Sequence, residues 1–305
     1  MMRRVTATVV VSLTLTTLAL PVLAQDLTGT LKKIKDSGAA TMGVRESSGG
    51  LSFTLGDGKF AGFHVELCQR ALADVQKQLG MAKLDIKYQP VTSQNRIPLM
   101  QNGTVDIECG STTNNAARQK DVSFAATTFV EEVRIAVKAN SGITSIGQLN
   151  GRNVATTTGT TSVQHLRKHE RGAGVNFNEV FGKDHADSFL LLESGRADAF
   201  VMDGQILAGS IAKSKNPADY KIVGEVLSVE PISIMLRKDD PAFKKAVDDS
   251  LVAMMKSGEM AKIYDKWFMQ PIPPTNTRIG LPASDATKAA WANPNDKPME
   301  DYAKK

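Results

Sequence analysis

Short apolar runs alternate along this chain with stretches in which apolar residues return every third or fourth position. The run at 40–44 predicts a buried strand following a helix over 28–36, and 51–55 a second strand closed by the turn Gly56-Asp57-Gly58. From 65 to 79 the apolar residues Leu67, Leu72, Val75 and Leu79 keep helical spacing. A strand at 85–88, a short helix at 97–101 led in by Asn95 and ended near Gly103, and a strand at 105–109 complete the first block. The same grammar restarts with strands at 134–138, 153–157, 175–180, 199–202 and 220–223 and helices at 145–149, 163–170, 184–194 and 205–214. A last strand at 233–236 precedes helices at 240–257 and 258–268. Strands alternating with helices indicate α/β layers with a largely parallel sheet.

Two stretches break the alternation. Residues 128–132 and 226–231 are extended and carry no helix signal, so they read as two crossings between α/β units, the arrangement of a hinge. The tail from Pro271 is rich in Pro, Asn and Thr and reads as a wrapping or loosely held extension.

The N-terminus changes the picture of where the chain works. A basic start, Met1 to Arg4, leads into an uncharged apolar run to Leu20, and Pro21-Val22-Leu23-Ala24 supplies a break and a small-residue cleavage signal. That layout predicts a secretory signal peptide cleaved after Ala24, with an uncleaved anchor as the alternative. Of 37 basic side chains Arg3 and Arg4 leave with that segment, so 35 face 32 acidic ones. The balance is too mild, and the basic residues too scattered, for a nucleic-acid surface. The two cysteines, Cys68 and Cys109, form a disulfide candidate in an oxidising compartment.

Enzyme motifs are sparse. The chain has no Gly-x-Ser-x-Gly, phosphate loop or His-Glu-x-x-His. Gly56-Asp-Gly-Lys-Phe-Ala61 meets the loose dinucleotide pattern but suits a hairpin turn better, so no cofactor is expected. His165 and His169 share a helix face; with no third ligand nearby they read as a solvated face, and no metal is expected.

What stands out is a set of groups that grip carboxylates. Arg45 lies in Gly43-Val-Arg-Glu-Ser-Ser48, Arg96 in Thr92-Ser-Gln-Asn-Arg-Ile-Pro98, and Arg118 closes Glu108-Cys-Gly-Ser-Thr-Thr-Asn-Asn-Ala-Ala-Arg118. A guanidinium matches a carboxylate with two parallel hydrogen bonds. Gly159-Thr-Thr-Ser162 offers free amides at a helix start, as either a plain cap or an anion cradle. His185 also opens a helix. Asp203 ends an apolar strand, as a helix cap or as counter-charge for an ammonium group. Ligands of open α/β sheets sit beyond the carboxyl ends of strands, where Ser111 and Asp203 both fall. Together these residues suggest a small molecule with more than one negative group.

The strings Arg45-Glu-Ser-Ser48, Thr92-Ser-Gln-Asn-Arg-Ile-Pro-Leu99, Glu108-Cys-Gly-Ser-Thr-Thr-Asn-Asn115, Lys183-Asp-His185 and Leu192-Glu-Ser-Gly-Arg-Ala197 resemble the periplasmic glutamate/aspartate-binding proteins of ABC importers, within solute-binding protein family 3. The resemblance implies a two-lobed periplasmic binding protein type II fold, with two α/β lobes joined by two hinge strands: residues 25–129 and 230–305 as a discontinuous lobe 1, and 130–229 as lobe 2. It implies a monomeric, non-enzymatic receptor that captures L-glutamate or L-aspartate and delivers it to membrane permease subunits. Arg118, Ser111, Thr113 and Thr161 would hold the α-carboxylate, Asp203 the ammonium, and Arg45, Ser93, Arg96 and His185 the side-chain carboxylate. A receptor for another polar amino acid and a dehydratase-like enzyme on the same fold are the alternatives.

Overall fold

A computed structural model describes residues 27–302; the signal peptide expected over 1–24 lies outside them. Two mixed five-stranded sheets and a small three-stranded sheet organise the chain. In the first large sheet the strand order is Asp85–Pro90, Ala39–Val44, Ile107–Glu108, Met235–Arg237, Val122–Phe124. In the second it is Asn178–Gly182, Asn153–Thr157, Ala199–Asp203, Phe129–Lys138, Tyr220–Ile232. Each sheet is parallel apart from one reversed strand next to its edge: Met235–Arg237 in the first and Phe129–Lys138 in the second. Phe129–Lys138 is itself a crossing between the sheets and Met235–Arg237 follows the return crossing, so a largely parallel sheet is the right reading with one antiparallel member each.

Local sequence explains the element ends. The helix Gly29–Ser37 stops at Gly38, whose left-handed φ of 69° lets its amide bond Ile34 O at 2.9 Å. The Gly56-Asp57-Gly58 turn joins the antiparallel strands Ser52–Gly56 and Lys59–Ala61, as a hairpin should. The helix Phe63–Gln78 starts two residues earlier than the apolar spacing predicts. Gly62 makes this possible: its φ is 133°, and a Cβ there would stand 2.4 Å from Leu51 O. The strand Val122–Phe124 was not legible, because three residues give no period to read.

Both faces of each large sheet are packed. The main core of the first lobe joins Met42, Leu67, Leu72, Phe243, Val247 and Phe268, while Val91, Met100 and Phe124 fill the opposite face. In the second lobe the β-branched Ile135, Val137 and Val154 pack together on one face, with Phe200, Met202 and Ile206 on the other. Cys68 and Cys109 are disulfide-bonded, tying the helix Phe63–Gln78 to the end of the strand Ile107–Glu108. The bond closes a 41-residue separation. In the chain-entropy model a loop of that size stabilises by about 4 kcal/mol. The double substitution Cys68→Ala, Cys109→Ala is therefore expected to lower stability by about 2–4 kcal/mol, read from urea unfolding.

The two crossings are single long strands. Phe129–Lys138 and Tyr220–Ile232 pair antiparallel, with Glu132 opposite Val229, Glu131 opposite Glu230 and Phe129 opposite Ile232. The tail wraps around this ribbon. Its helix Asp285–Ala292 buries Thr287, whose hydroxyl accepts from Val130 N at 3.0 Å and donates to Val130 O at 3.3 Å. Trp291 Nε1 donates to Thr128 O at 2.7 Å, and Met299 N donates to Asn114 O at 2.8 Å. The helix itself was not anticipated from the tail's composition. Among the described residues no helix is long and apolar enough to cross a membrane.

Candidate functional site

The carboxyl ends of the central strands of both sheets face one another across a cleft. Arg45 follows Ala39–Val44, and Ser111 and Thr113 follow Ile107–Glu108. From the other side Thr161 opens the helix after Asn153–Thr157, His185 opens the helix after Asn178–Gly182, and Asp203 ends Ala199–Asp203. Glycine lets the two sides touch. A Cβ on Gly159 would lie 2.8 Å from the backbone of Gln94, and one on Gly209 would lie 2.8 Å from Gly49 Cα. Gly50 N donates to Gln205 Oε1 at 3.2 Å.

The nine expected site residues are brought into one region. Arg45 is fully buried; its Nη2 pairs with the carboxylate of Asp184 and meets His185 Nε2 at 3.1 Å. Its Nε and Nη1 have no hydrogen-bond partner among the described residues. Arg96 is 2% exposed and its Nε and Nη1 are likewise without partners there, as is Ser93 Oγ. Burial and the neighbouring charge of Arg118 pull the Arg96 guanidinium down to about 9, opposed by Glu108, so it remains a cation at neutral pH. Arg118 reaches across the cleft: Nη1 donates to Thr113 O at 2.9 Å and Nη2 to Gly159 O at 3.4 Å. Ser111 Oγ and Ser48 Oγ share a hydrogen bond of 3.1 Å.

Some of the expected donors are already committed. A guanidinium has no acceptor, so Arg45 must donate to His185 Nε2. The His185 proton then sits on Nδ1, 3.0 Å from Thr157 Oγ1. Burial and the charge of Arg45 push His185 down to about 3, so the ring is neutral. His185 therefore orients Arg45 rather than presenting a charge of its own. Thr113 Oγ1 and Thr161 Oγ1 both donate to Glu230 Oε2, at 2.5 and 2.8 Å. What these threonines can offer a ligand is their backbone amides.

The anionic side of the site is richer than the sequence suggested. Asp203 is 5% exposed and does not cap the helix Gly204–Lys213 that it precedes; Gln205 N points instead to the Glu131 carboxylate at 3.4 Å. Burial and the charge of Glu230 raise Asp203 to about 7, against the pull of the arginines. Burial, with Asp203 beside it, keeps the Glu131 carboxyl well above the usual range. Burial alone would raise Glu230 too, but hydrogen bonds from His165, Thr113 and Thr161 outweigh it and hold it low. His165 Nε2 lies 2.6 Å from Glu230 Oε1, so the reading of a solvated histidine face fails at this position: a buried carboxylate recruits the ring. Glu108 is fully buried, accepting from Thr112 Oγ1 at 2.7 Å. Glu108, Glu131, Asp184 and Glu230 were not singled out beforehand. The available signal was the acidic residue inside each extended crossing, at Glu131 and Glu230, where an apolar residue would be ordinary.

Residues 40–270 match the model of the bacterial extracellular solute-binding proteins, family 3. Among curated relatives, an L-glutamate/L-aspartate-binding protein of Pseudomonas aeruginosa is 46% identical over 285 residues, 93% of this chain and 94% of its own length. A glutamate/aspartate import solute-binding protein of Escherichia coli is 45% identical over 270 residues, 88% of this chain and 89% of its own. Among solved structures, a mutant of the arginine-binding protein from T. maritima superimposes with a TM-score of 0.70 at 27% identity, covering 79% of this chain and all of that one.

Proposed function

This chain belongs to family 3 of the bacterial extracellular solute-binding proteins, and from that premise we propose that it is the periplasmic receptor for L-glutamate and L-aspartate of an ABC importer. The observation that carries the reading is the pair of buried guanidinium groups, Arg45 and Arg96, each with Nε and Nη1 unpartnered among the described residues. Buried cationic donors are costly unless an anion meets them. Two forks close together fit the side-chain carboxylate of an acidic amino acid, with Ser93 Oγ beside them as a further donor.

The rest of the ligand follows from where the opposite charges lie. Arg118, Ser111 and the amides at Thr113 and Thr161 take the α-carboxylate, the last at the N-terminus of the helix Thr161–Ala173, which favours anions. Asp203, once ionised, takes the ammonium group. His185 acts by aiming Arg45. The reading assigns no catalytic step to His185: its acceptor nitrogen lies on Arg45 and its proton faces Thr157, which leaves that ring no free nitrogen for acid–base work.

Ligand held by both lobes shifts the population toward the closed form. The paired strands Phe129–Lys138 and Tyr220–Ile232 serve as the hinge between residues 25–129 with 230–305 and residues 130–229. The closed monomer then docks on the permease subunits.

Calorimetric titration of ligand-stripped protein tests the reading. L-glutamate and L-aspartate are expected to saturate it. L-glutamine leaves the Arg45–Arg96 pair short of a counter-charge, at about 3–5 kcal/mol, and is expected to bind on the order of hundreds of times more weakly. Saturation by an uncharged amino acid with no response to either acidic one would overturn it.

A further inference from the structure

Glu230 has no place in the recognition scheme above, yet it is fully buried and accepts three side-chain hydrogen bonds. Its donors come from different bodies. Thr113 belongs to the loop after Ile107–Glu108 and is fixed to the end of Glu230's own strand, through its bridge to Ile232 and the bond from Asn114 N to Pro231 O at 2.9 Å. Thr161 and His165 lie one turn apart on the helix that follows Asn153–Thr157 in the second sheet. Thr113 Oγ1 and Thr161 Oγ1 stand 3.5 Å apart across the cleft, bridged by a single carboxylate oxygen.

We propose that Glu230 is the closure latch of this receptor, a positioning residue that touches no ligand and acts by gathering one threonine from each side of the cleft. The inference rests on the receptor reading above and adds to it a residue that sets how long the cleft stays shut. A carboxylate accepting hydroxyl and imidazole donors makes charge-assisted bonds, roughly twice as strong as neutral ones. Opening the cleft separates Thr161 and His165 from Thr113, so whichever side Glu230 follows, it loses donors. The latch also assigns the threonine protons. Each hydroxyl has one hydrogen and both point at Glu230, which leaves the Thr113 and Thr161 amides as these residues' donors for the ligand. Encounter with ligand occurs in the open cleft, before the latch forms. Its energy therefore appears in the rate of leaving rather than the rate of arrival.

The test compares wild type with Glu230→Gln, which keeps the shape and removes the charge. In stopped-flow measurements with L-glutamate, dissociation is expected to accelerate by about ten- to hundredfold while association changes by less than about threefold. Thr161→Val, which deletes one donor, should accelerate dissociation by about tenfold and supplies the answer should the glutamine variant not fold. A merely structural role for Glu230 would lower the melting temperature without splitting the two rates. A separate arm is independent of ligand identity. Spin labels at the exposed positions Lys87 and Arg171, one on each lobe, report lobe separation, and Glu230→Gln should shift the distribution to wider distances. If L-glutamate does not bind wild type, the receptor reading falls and the label distances alone decide the latch. Equal changes in both rates, or unchanged label distances in the variants, would overturn the proposal.

Discussion

Asp203→Asn is expected to stabilise the ligand-free protein at pH 8 and to remove most of its affinity for L-glutamate, two opposite effects of one atom's change. The carboxyl is buried at 5% exposure, and burial together with Glu230 raises it to about 7 from an ordinary 3.8. A carboxyl raised by folding binds its proton more tightly in the native state than in the unfolded one. Its ionisation costs nothing below the unfolded value near 4 and costs progressively more as pH rises from there to about 7, after which the cost is constant. At pH 8 that cost is of the order of 2–4 kcal/mol, and asparagine escapes it. Denaturant unfolding at pH 4 and pH 8 reads the difference: wild type and variant should differ least at the lower pH and most at the higher.

Binding runs the other way. An ammonium group needs Asp203 ionised, and leaving one partner of a buried charged pair unmatched costs about 2–5 kcal/mol, or roughly 30- to several-thousandfold in affinity. Below pH 7 the wild-type protein must give up the Asp203 proton to bind. L-glutamate affinity should therefore fall by up to about tenfold per pH unit from 7 toward 5.5, with a proton released that appears as a buffer-dependent heat in calorimetry. His185 and His64 stay outside this window, because burial holds them at about 3 and about 4. Asp203→Asn should flatten the dependence, leaving the part that the raised Glu131 carboxyl contributes. A flat affinity between pH 5.5 and 8 in wild type would remove Asp203 from ammonium recognition.

That Asp203 could be named from sequence, and Glu230 could not, follows from what each residue needs. Asp203 ends a run of buried apolar residues, and a charge in that position demands a partner, which local pattern reveals. The same holds for Arg45, Ser111 and His185, each placed at a strand's carboxyl end or helix start by short-range periodicity alone. Glu230 and Glu131 sit inside extended crossings whose neighbours on the facing strand decide their environment. Their one-to-one register comes from pairing between strands far apart in sequence, and no local window contains it. His165 shows the converse: its helix was legible, but not that one of its faces meets Glu230 rather than water. The long motif strings added what spacing could not, namely which part of a ligand each of the three arginines is expected to meet. The commitment of the two threonine hydroxyls and of His185 needed geometry, because a hydrogen bond is exclusive in a way that residue types are not.

The second large effect separates selectivity from affinity. Arg96→Ala is expected to weaken L-glutamate by about 10²–10³-fold while L-glutamine changes by less than about tenfold. Arg96 is 2% exposed with two partnerless nitrogens, and it is surrounded by Arg45, Arg118, Glu108 and Asp203, whose charges it feels. Removing it takes away a fork for the ligand carboxylate. It also takes one positive charge away from the buried Glu108, whose Oε1 is unpartnered among the described residues, near the place the carboxylate must enter. Both changes penalise a side-chain carboxylate more than a neutral amide, whose oxygen loses only an uncharged hydrogen bond. Arg96→Lys keeps the charge but loses the bidentate fork, so it should fall between wild type and alanine for L-glutamate. Competition calorimetry of the three proteins with both ligands checks the order. Equal losses for L-glutamate and L-glutamine in Arg96→Ala would place Arg96 outside side-chain recognition and leave that task to Arg45.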